Sequence, residues 1–335
     1  MVNLRAGLIG LGMMGRHHAR NLRAIDGVDL VGVADPGGDP HGVAGGLDVK
    51  RSVEELIEAG LDYCVVATPT ETHEEIASKL AEAGIHALIE KPLAKETDAA
   101  WRLAELFAAK GLVGAVGHIE RYNPALQNLR KRLEQGEIGD VYQAQTRRQG
   151  PFPARIADVG VVKDLASHDI DLTAWVTQRD FELVAARTVL KAGREYEDMV
   201  AATCQLSGGV MSNHLVNWLT PTKERITIVT GAKGMFVADT LTADLTFYAN
   251  GKVQTTWSDI AQFRGVSEGD ITRFAIAKPE PLRVEHENFR DAVLGKEADI
   301  VTLEQGARVV QVCEAMIESS KTGQFIAISP LHAWG

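Results

Sequence analysis

The feature that most constrains this chain is a glycine run near its start, Gly10-Leu11-Gly12-Met13-Met14-Gly15. The G-x-G-x-x-G spacing alone is weak. Here an apolar strand candidate at 6–9 leads into it, and a helical pattern at 13–23 leads out. A second strand candidate, 28–34, runs into Asp35, 20 residues after Gly15, the spacing of a dinucleotide-binding βαβ unit. Gly10 permits the tight turn, Gly12 lets backbone approach a pyrophosphate, and Gly15 lets the helix sit on the sheet. The helix N-terminus then faces the phosphates. Asp35 is placed to bond the ribose hydroxyls and to repel a 2′-phosphate, so NAD is expected over NADP. The bland alternative, a ligand-free βα turn, leaves the agreement of strand, spacing and acid unexplained.

The pattern continues through the first third. Strand candidates at 63–67, 87–89 and 113–116 alternate with helices. Ser52 with Glu55 and Thr72 with Glu75 have capping-box spacing, and a further helix at 98–110 stops at Gly111. Apolar strands alternating with helices imply a parallel sheet covered on both faces. One link departs from this. Residues 35–46 carry so much Gly and Pro that a loop or single turn is expected in place of a crossover helix. After about residue 118 longer strand candidates follow one another: 141–148, 182–190, 199–206, 210–217, 224–230 and 244–249. Few helices separate them, which suggests an antiparallel sheet. Two helices stand out, 163–176 and 303–319.

With 335 residues, 45% of them hydrophobic, the chain fits two domains. A formal charge of −10 argues against sequence-independent nucleic-acid binding, and no polybasic run suits an anionic membrane. No stretch is apolar enough to span a bilayer. Cys64, Cys204 and Cys313 are far apart and lie in apolar segments, as buried thiols of a reducing compartment would. The first residues run straight into a strand with no leader-like pattern. A cytoplasmic protein is expected.

Two further clusters carry chemistry. Glu90-Lys91-Pro92 ends a strand of the parallel sheet, where ligands of open α/β sheets gather. A lysine there can bond a reacting hydroxyl or carbonyl; in isolation it would read as a surface turn. Asp164-Leu-Ala-Ser-His168-Asp-Ile-Asp171 puts Asp164, His168 and Asp171 on one helical face. His168 is then a candidate general base with a carboxylate one turn away. The rival readings are a solvated polar face and a zinc site. The latter lacks a fourth ligand at sensible spacing, so no metal is expected.

At these residues the chain resembles the Gfo/Idh/MocA oxidoreductases. The segments are 10–15, Ala67-Thr-Pro-Thr-Glu-Thr-His73, Glu90-Lys91-Pro92 and Asp164-x-x-x-His168, which span both halves. A narrower similarity is to the UDP-N-acetylglucosamine 3-dehydrogenase branch. It rests on Gly117-His-Ile-Glu-Arg-Tyr-Asn-Pro-Ala125, on 148–156, on 158–161 with the helix after it, and on Asn217-Trp-Leu-Thr-Pro-Thr-Lys223. The resemblance implies an α/β Rossmann domain at 1–118 and an α+β domain at 119–335. The second has an open, mostly antiparallel sheet whose open face joins copies into a homo-oligomer, a dimer or tetramer. The final helix packs back on the first domain. The cofactor site would use Gly10, Gly12, Met13, Met14, Gly15, Asp35, Ala67, Thr68, Pro69, Thr70, His73, Glu90 and Lys91. Lys91, Asp164 and His168 would be catalytic, and Tyr122, Arg155 and Lys163 would join Asp164 and His168 at the substrate.

The resulting expectation is an NAD-dependent dehydrogenase that oxidises a sugar ring hydroxyl to a ketone, at C3 of UDP-N-acetylglucosamine. Arg155 is singled out for the diphosphate. Arg147 and Arg148 are neighbours on a strand and must point to opposite faces, whereas Arg155 is free of that constraint. The alternatives are a polyol dehydrogenase of the myo-inositol type and a non-catalytic NAD-binding sugar sensor.

Overall fold

A computed structural model describes residues 3–152, 159–193, 195–251 and 268–329. The chain forms two compact units. The first is built chiefly from Met1–Tyr122 and Pro279–Glu314. The second is built from Asn123–Ile156, Gly160–Lys278 and Ala315–Gly335.

The first unit holds six parallel strands: β1 (Leu4–Ile9), β2 (Val28–Ala34), β3 (Val49–Lys50), β4 (Tyr63–Val66), β5 (His86–Glu90) and β6 (Gly114–Gly117). Their spatial order is β3-β2-β1-β4-β5-β6. Helices α1 (Met13–Ala24), α2 (Val53–Ile57), α3 (His73–Glu82) and α4 (Thr97–Ala109) alternate with them. All four residues of β4 are buried, as a strand covered on both faces requires. Turns occupy the stretch after Asp35 where a helix would ordinarily cross. The Asp39 carboxylate accepts the Val43 and Ala44 N–H groups at 2.7 Å each. From α1, Arg23 donates to the carbonyls of the same two residues. Side chains thus satisfy backbone groups that a helix would satisfy internally.

The second unit is a nine-stranded mixed sheet. Its strands are β7 (Val141–Pro151), β8 (Phe181–Val189), β9 (Met199–Leu206), β10 (Met211–Asn217), β11 (Leu219–Gly231), β12 (Gly234–Asp239), β13 (Asp244–Asn250), β14 (Glu268–Arg273) and β15 (Ile326–Ala327). The order is β14-β13-β12-β11-β7-β10-β9-β8-β15. Among the described pairings β7 with β10 is parallel and the rest are antiparallel. In β9 the buried positions Val200, Ala202, Cys204 and Leu206 alternate with exposed or half-buried ones. Helices α5 (Pro124–Glu134) and α6 (Ser167–Thr177) bring Leu126, Leu129, Leu172 and Trp175 into one core with Val229 and Phe236 of the sheet. The sequence reading missed α5, although Asn123 caps it and Pro124 opens it, a standard start signal.

Two late helices return to the first unit. One is α7 (Pro281–Val293), which the sequence reading also missed. The other is the first part of α8 (Leu303–Thr322). Phe289 of α7 meets Tyr63 edge-on, with ring centroids 5.4 Å apart. Leu303, Ala307 and Val310 of α8 share a core with β4, β5 and β6 residues. Just before α8, the Val301 carbonyl accepts the Val116 N–H at 2.9 Å.

Candidate active site

The glycine run sits between the end of β1 and the start of α1. Gly10 has φ +93°, and a side chain there would press on the Ala67 carbonyl. A Cβ on Gly15 would meet the Gly10 carbonyl oxygen, so the helix can lie this close only without one. Gly12 has open space where a Cβ would be. It precedes α1 without any side-chain cap, leaving the donors of the first turn to an outside acceptor. Asp35 accepts the Leu11 N–H through Oδ2 and the Gly37 N–H through Oδ1, both at 2.8 Å. Each carboxylate oxygen keeps a second lone pair, so Asp35 is fixed in place and still able to accept from a ribose. Met13 is exposed, and Met14 and Ala67 are half-buried. Uncapped helix, open backbone and pre-set carboxylate together fit a dinucleotide diphosphate with its ribose.

At the end of β5, Glu90 and Lys91 are half-buried, and the Lys91–Pro92 peptide is cis. Several neighbours are committed elsewhere. His73 is 1% exposed. Its Nδ1 lies 3.0 Å from the Pro92 carbonyl and its Nε2 3.0 Å from the Thr68 carbonyl. Burial pushes its pKa below the ordinary value, so the ring donates to one carbonyl at a time. His73 thus ties two loops together from inside. Thr72 does not cap α3. A 3₁₀ turn at Thr70–Thr72 precedes the helix, and the Thr72 hydroxyl bonds to Pro69 and Thr68 instead. Thr70 is buried and Pro69 exposed. Tyr122, expected at the substrate, is 3% exposed and donates its hydroxyl to the Asp299 carbonyl.

In the second unit Asp164 sits on a widened turn, and His168 on the helix that follows it. Val162–Ala166 is a π-helical segment that runs straight into α6, a distortion common at functional sites. Asp164 is nearly buried, and Lys163 and His168 are half-buried. Asp171 is fully buried. The rival reading of a solvated polar face does not fit this burial. The adjacent Asp169 forms a buried ion pair with Arg148 of β7, Nε to Oδ1 2.7 Å. Arg147 points the other way and pairs with Glu224 at 2.8 Å while half exposed, as strand alternation requires. Arg155 lies outside the described residues. Missed in the sequence was Glu197. It accepts the Val162 N–H at 3.1 Å through its carboxylate, and a Cβ on Gly160 would collide with that carboxylate.

The glycine cradle and the two-sheet architecture are what the comparisons with known proteins recover. The GFO_IDH_MocA model described as an oxidoreductase family with NAD-binding Rossmann fold matches residues 4–118, and its C-terminal alpha/beta domain matches 130–328. The chain belongs to this family. Among its relatives, UDP-N-acetylglucosamine 3-dehydrogenase of Acidithiobacillus ferrooxidans is 37% identical over 217 residues, covering 64% of this chain and 66% of the relative. The scyllo-inositol 2-dehydrogenase (NAD(+)) of Bacillus subtilis is 33% identical over 183 residues, covering 52% and 54%. These matches span roughly half to two thirds of the relatives' own length. A solved structure of the Acidithiobacillus enzyme superposes with TM-score 0.81 at 28% identity, covering 97% of this chain and all of the other. Among the described residues no cluster of His, Cys, Asp or Glu is placed to hold a metal ion. No helix there is long and apolar enough to cross a membrane.

Proposed function

We propose that the chain is an NAD-dependent dehydrogenase that oxidises a sugar ring hydroxyl to a ketone, with C3 of UDP-N-acetylglucosamine as the position oxidised. The observation that carries the reading is the cradle in the first unit: an uncapped α1, open backbone at Gly12 and Asp35 already fixed by two N–H groups. Likeness to the Acidithiobacillus enzyme supports the choice of sugar. NAD, when bound, takes up the hydride. The donors at the start of α1 hold its diphosphate, and Asp35 holds the adenosine ribose. His168 takes the hydroxyl proton, Asp164 orients the His168 ring, and the Lys91 ammonium stabilises the developing alkoxide. The reading also has the exposed face of the second sheet, with Met211 and Leu215 on β10, joining copies of the chain, and the cytoplasm as its place of work.

The test is NADH formation, followed by absorbance, with UDP-N-acetylglucosamine and with myo-inositol. Turnover is expected with the nucleotide sugar, and a loss of about 10²–10⁴-fold in kcat for His168→Ala and for Lys91→Ala. Preference for myo-inositol would move the assignment to a polyol dehydrogenase, which the Bacillus relative favours. NAD binding without turnover of any sugar would leave a sensor.

A further inference from the structure

Glu90 precedes the proposed catalytic lysine, and its carboxylate is turned inward, 12% exposed. Oε1 lies 2.9 Å from Nε2 of His18 on α1, and Oε2 accepts the Lys91 N–H at 3.2 Å. His18 is completely buried. Its other ring nitrogen, Nδ1, lies 2.9 Å from Nε2 of His286 on α7, and the two rings meet edge to face. His286 is 1% exposed, and among the described residues its Nδ1 has no hydrogen-bond partner. Three elements far apart in sequence thus meet in one buried chain inside the first unit.

The network fixes where the protons sit. Burial pushes the Glu90 carboxyl up, but its interactions with His18 first and Lys91 second outweigh that and hold it below the usual carboxylate range. An ionised Glu90 only accepts, so His18 Nε2 carries a hydrogen. His18 Nδ1 is then bare and accepts from His286 Nε2–H. The one group left over is a bare acceptor, His286 Nδ1. Running the chain the other way would bury an imidazolium and strand a buried N–H donor, which costs more. Burial also pushes the His286 pKa well below its ordinary value.

We propose that His18 and His286 are positioning residues for Lys91: donating in series, they turn the Glu90 carboxylate onto the Lys91 peptide and so hold the lysine where it acts. The inference rests on the role given to Lys91 above. Without the His18 donor, Glu90 loses its anchor and the Lys91 N–H its acceptor. A displacement of about 1 Å at a catalytic group can cost about 10²-fold.

The test compares His18→Leu, His18→Gln and His18→Asn. Gln can reach Glu90 with an amide donor at the Nε2 position, and Asn is too short. Expected for Leu and Asn is a 10- to 100-fold loss in kcat with NAD affinity within about threefold of wild type, and for Gln recovery of most of the loss. A second readout needs no turnover. Amide hydrogen exchange at Lys91 in the cofactor-free protein should be slow in wild type and His18→Gln and fast in His18→Asn and His18→Leu. Leu88, two residues earlier on β5, should stay protected throughout and so report an intact strand. Should His18→Leu fail to fold, the Gln and Asn pair carries the comparison. Lys91 exchange and kcat indifferent to residue 18, or a ¹⁵N spectrum placing the His18 hydrogen on Nδ1, would overturn the proposal. Exchange that follows the expected order in a protein that turns over no sugar would instead sink the dehydrogenase reading and leave the network standing.

Discussion

Asp35 does two jobs with one carboxylate. It braces the glycine turn through Leu11 N–H and the following turn through Gly37 N–H, and in the proposed reading it presents negative charge to a 2′-phosphate. NAD should therefore bind at least about tenfold tighter than NADP, and Asp35→Ala should narrow the gap by removing the repulsion. Titration of both cofactors against tryptophan fluorescence checks this; equal affinities in wild type would refute it. Arg148 poses a different problem. Both members of its pair with Asp169 are nearly inaccessible, so Arg148→Met takes a cationic partner from a buried carboxylate and should cost about 3–5 kcal/mol. Arg148→Met with Asp169→Leu should recover much of that, measured by urea unfolding. The cradle residues were legible from the sequence because glycine spacing and an acid at a strand end are local signals. His73, Tyr122, His18 and His286 were not. Their roles depend on burial and on partners up to 268 positions away, which no local pattern encodes.

At the scale of elements, strands with clear alternation declared themselves. The reading of 199–206 coincides with β9 (Met199–Leu206). Short or late elements did not: β12 follows β11 after a two-residue turn, and α7 carries charge through most of its length. The π segment before α6 was also invisible, because a widened turn has no residue signature of its own. Its start is set from the β8–β9 connection, where Glu197 takes the Val162 N–H and fills the space that Gly160 leaves. Gly160→Ala should push that carboxylate away and lower kcat more than it raises the KM for NAD. Glu197→Gln, which keeps an acceptor at the same reach, should have a small effect. Steady-state kinetics of the two variants decide it, and equal, negligible effects would show that the cap is ornamental.

Across the whole molecule, buried imidazoles make both units sensitive to acid. Burial lowers the pKa of His214 from 6.5 to about 4, and those of His73 and His286 also fall below 6.5. The unfolded chain therefore takes up protons that the folded chain refuses. Stability is full above about pH 6.5 and declines as pH falls toward 4. The decline from His214 alone is on the order of 3 kcal/mol. Tm should drop steadily over that window, and His214→Gln should flatten the slope; a flat wild-type profile would show that the imidazoles are not held neutral. The first unit also depends on residues found late in the chain, since Val301, Leu303, Ala307 and Val310 complete its core and Val301 bonds to β6. That arrangement sets an order of events on the ribosome. Residue 118 emerges about 183 residues before Val301, which at roughly 5–20 residues per second is a delay of about 10–40 s. Throughout that interval the nascent nucleotide-binding sheet lacks its final packing layer, and it must wait, exposed to chaperones and to neighbouring nascent chains, until its own distant helix is made.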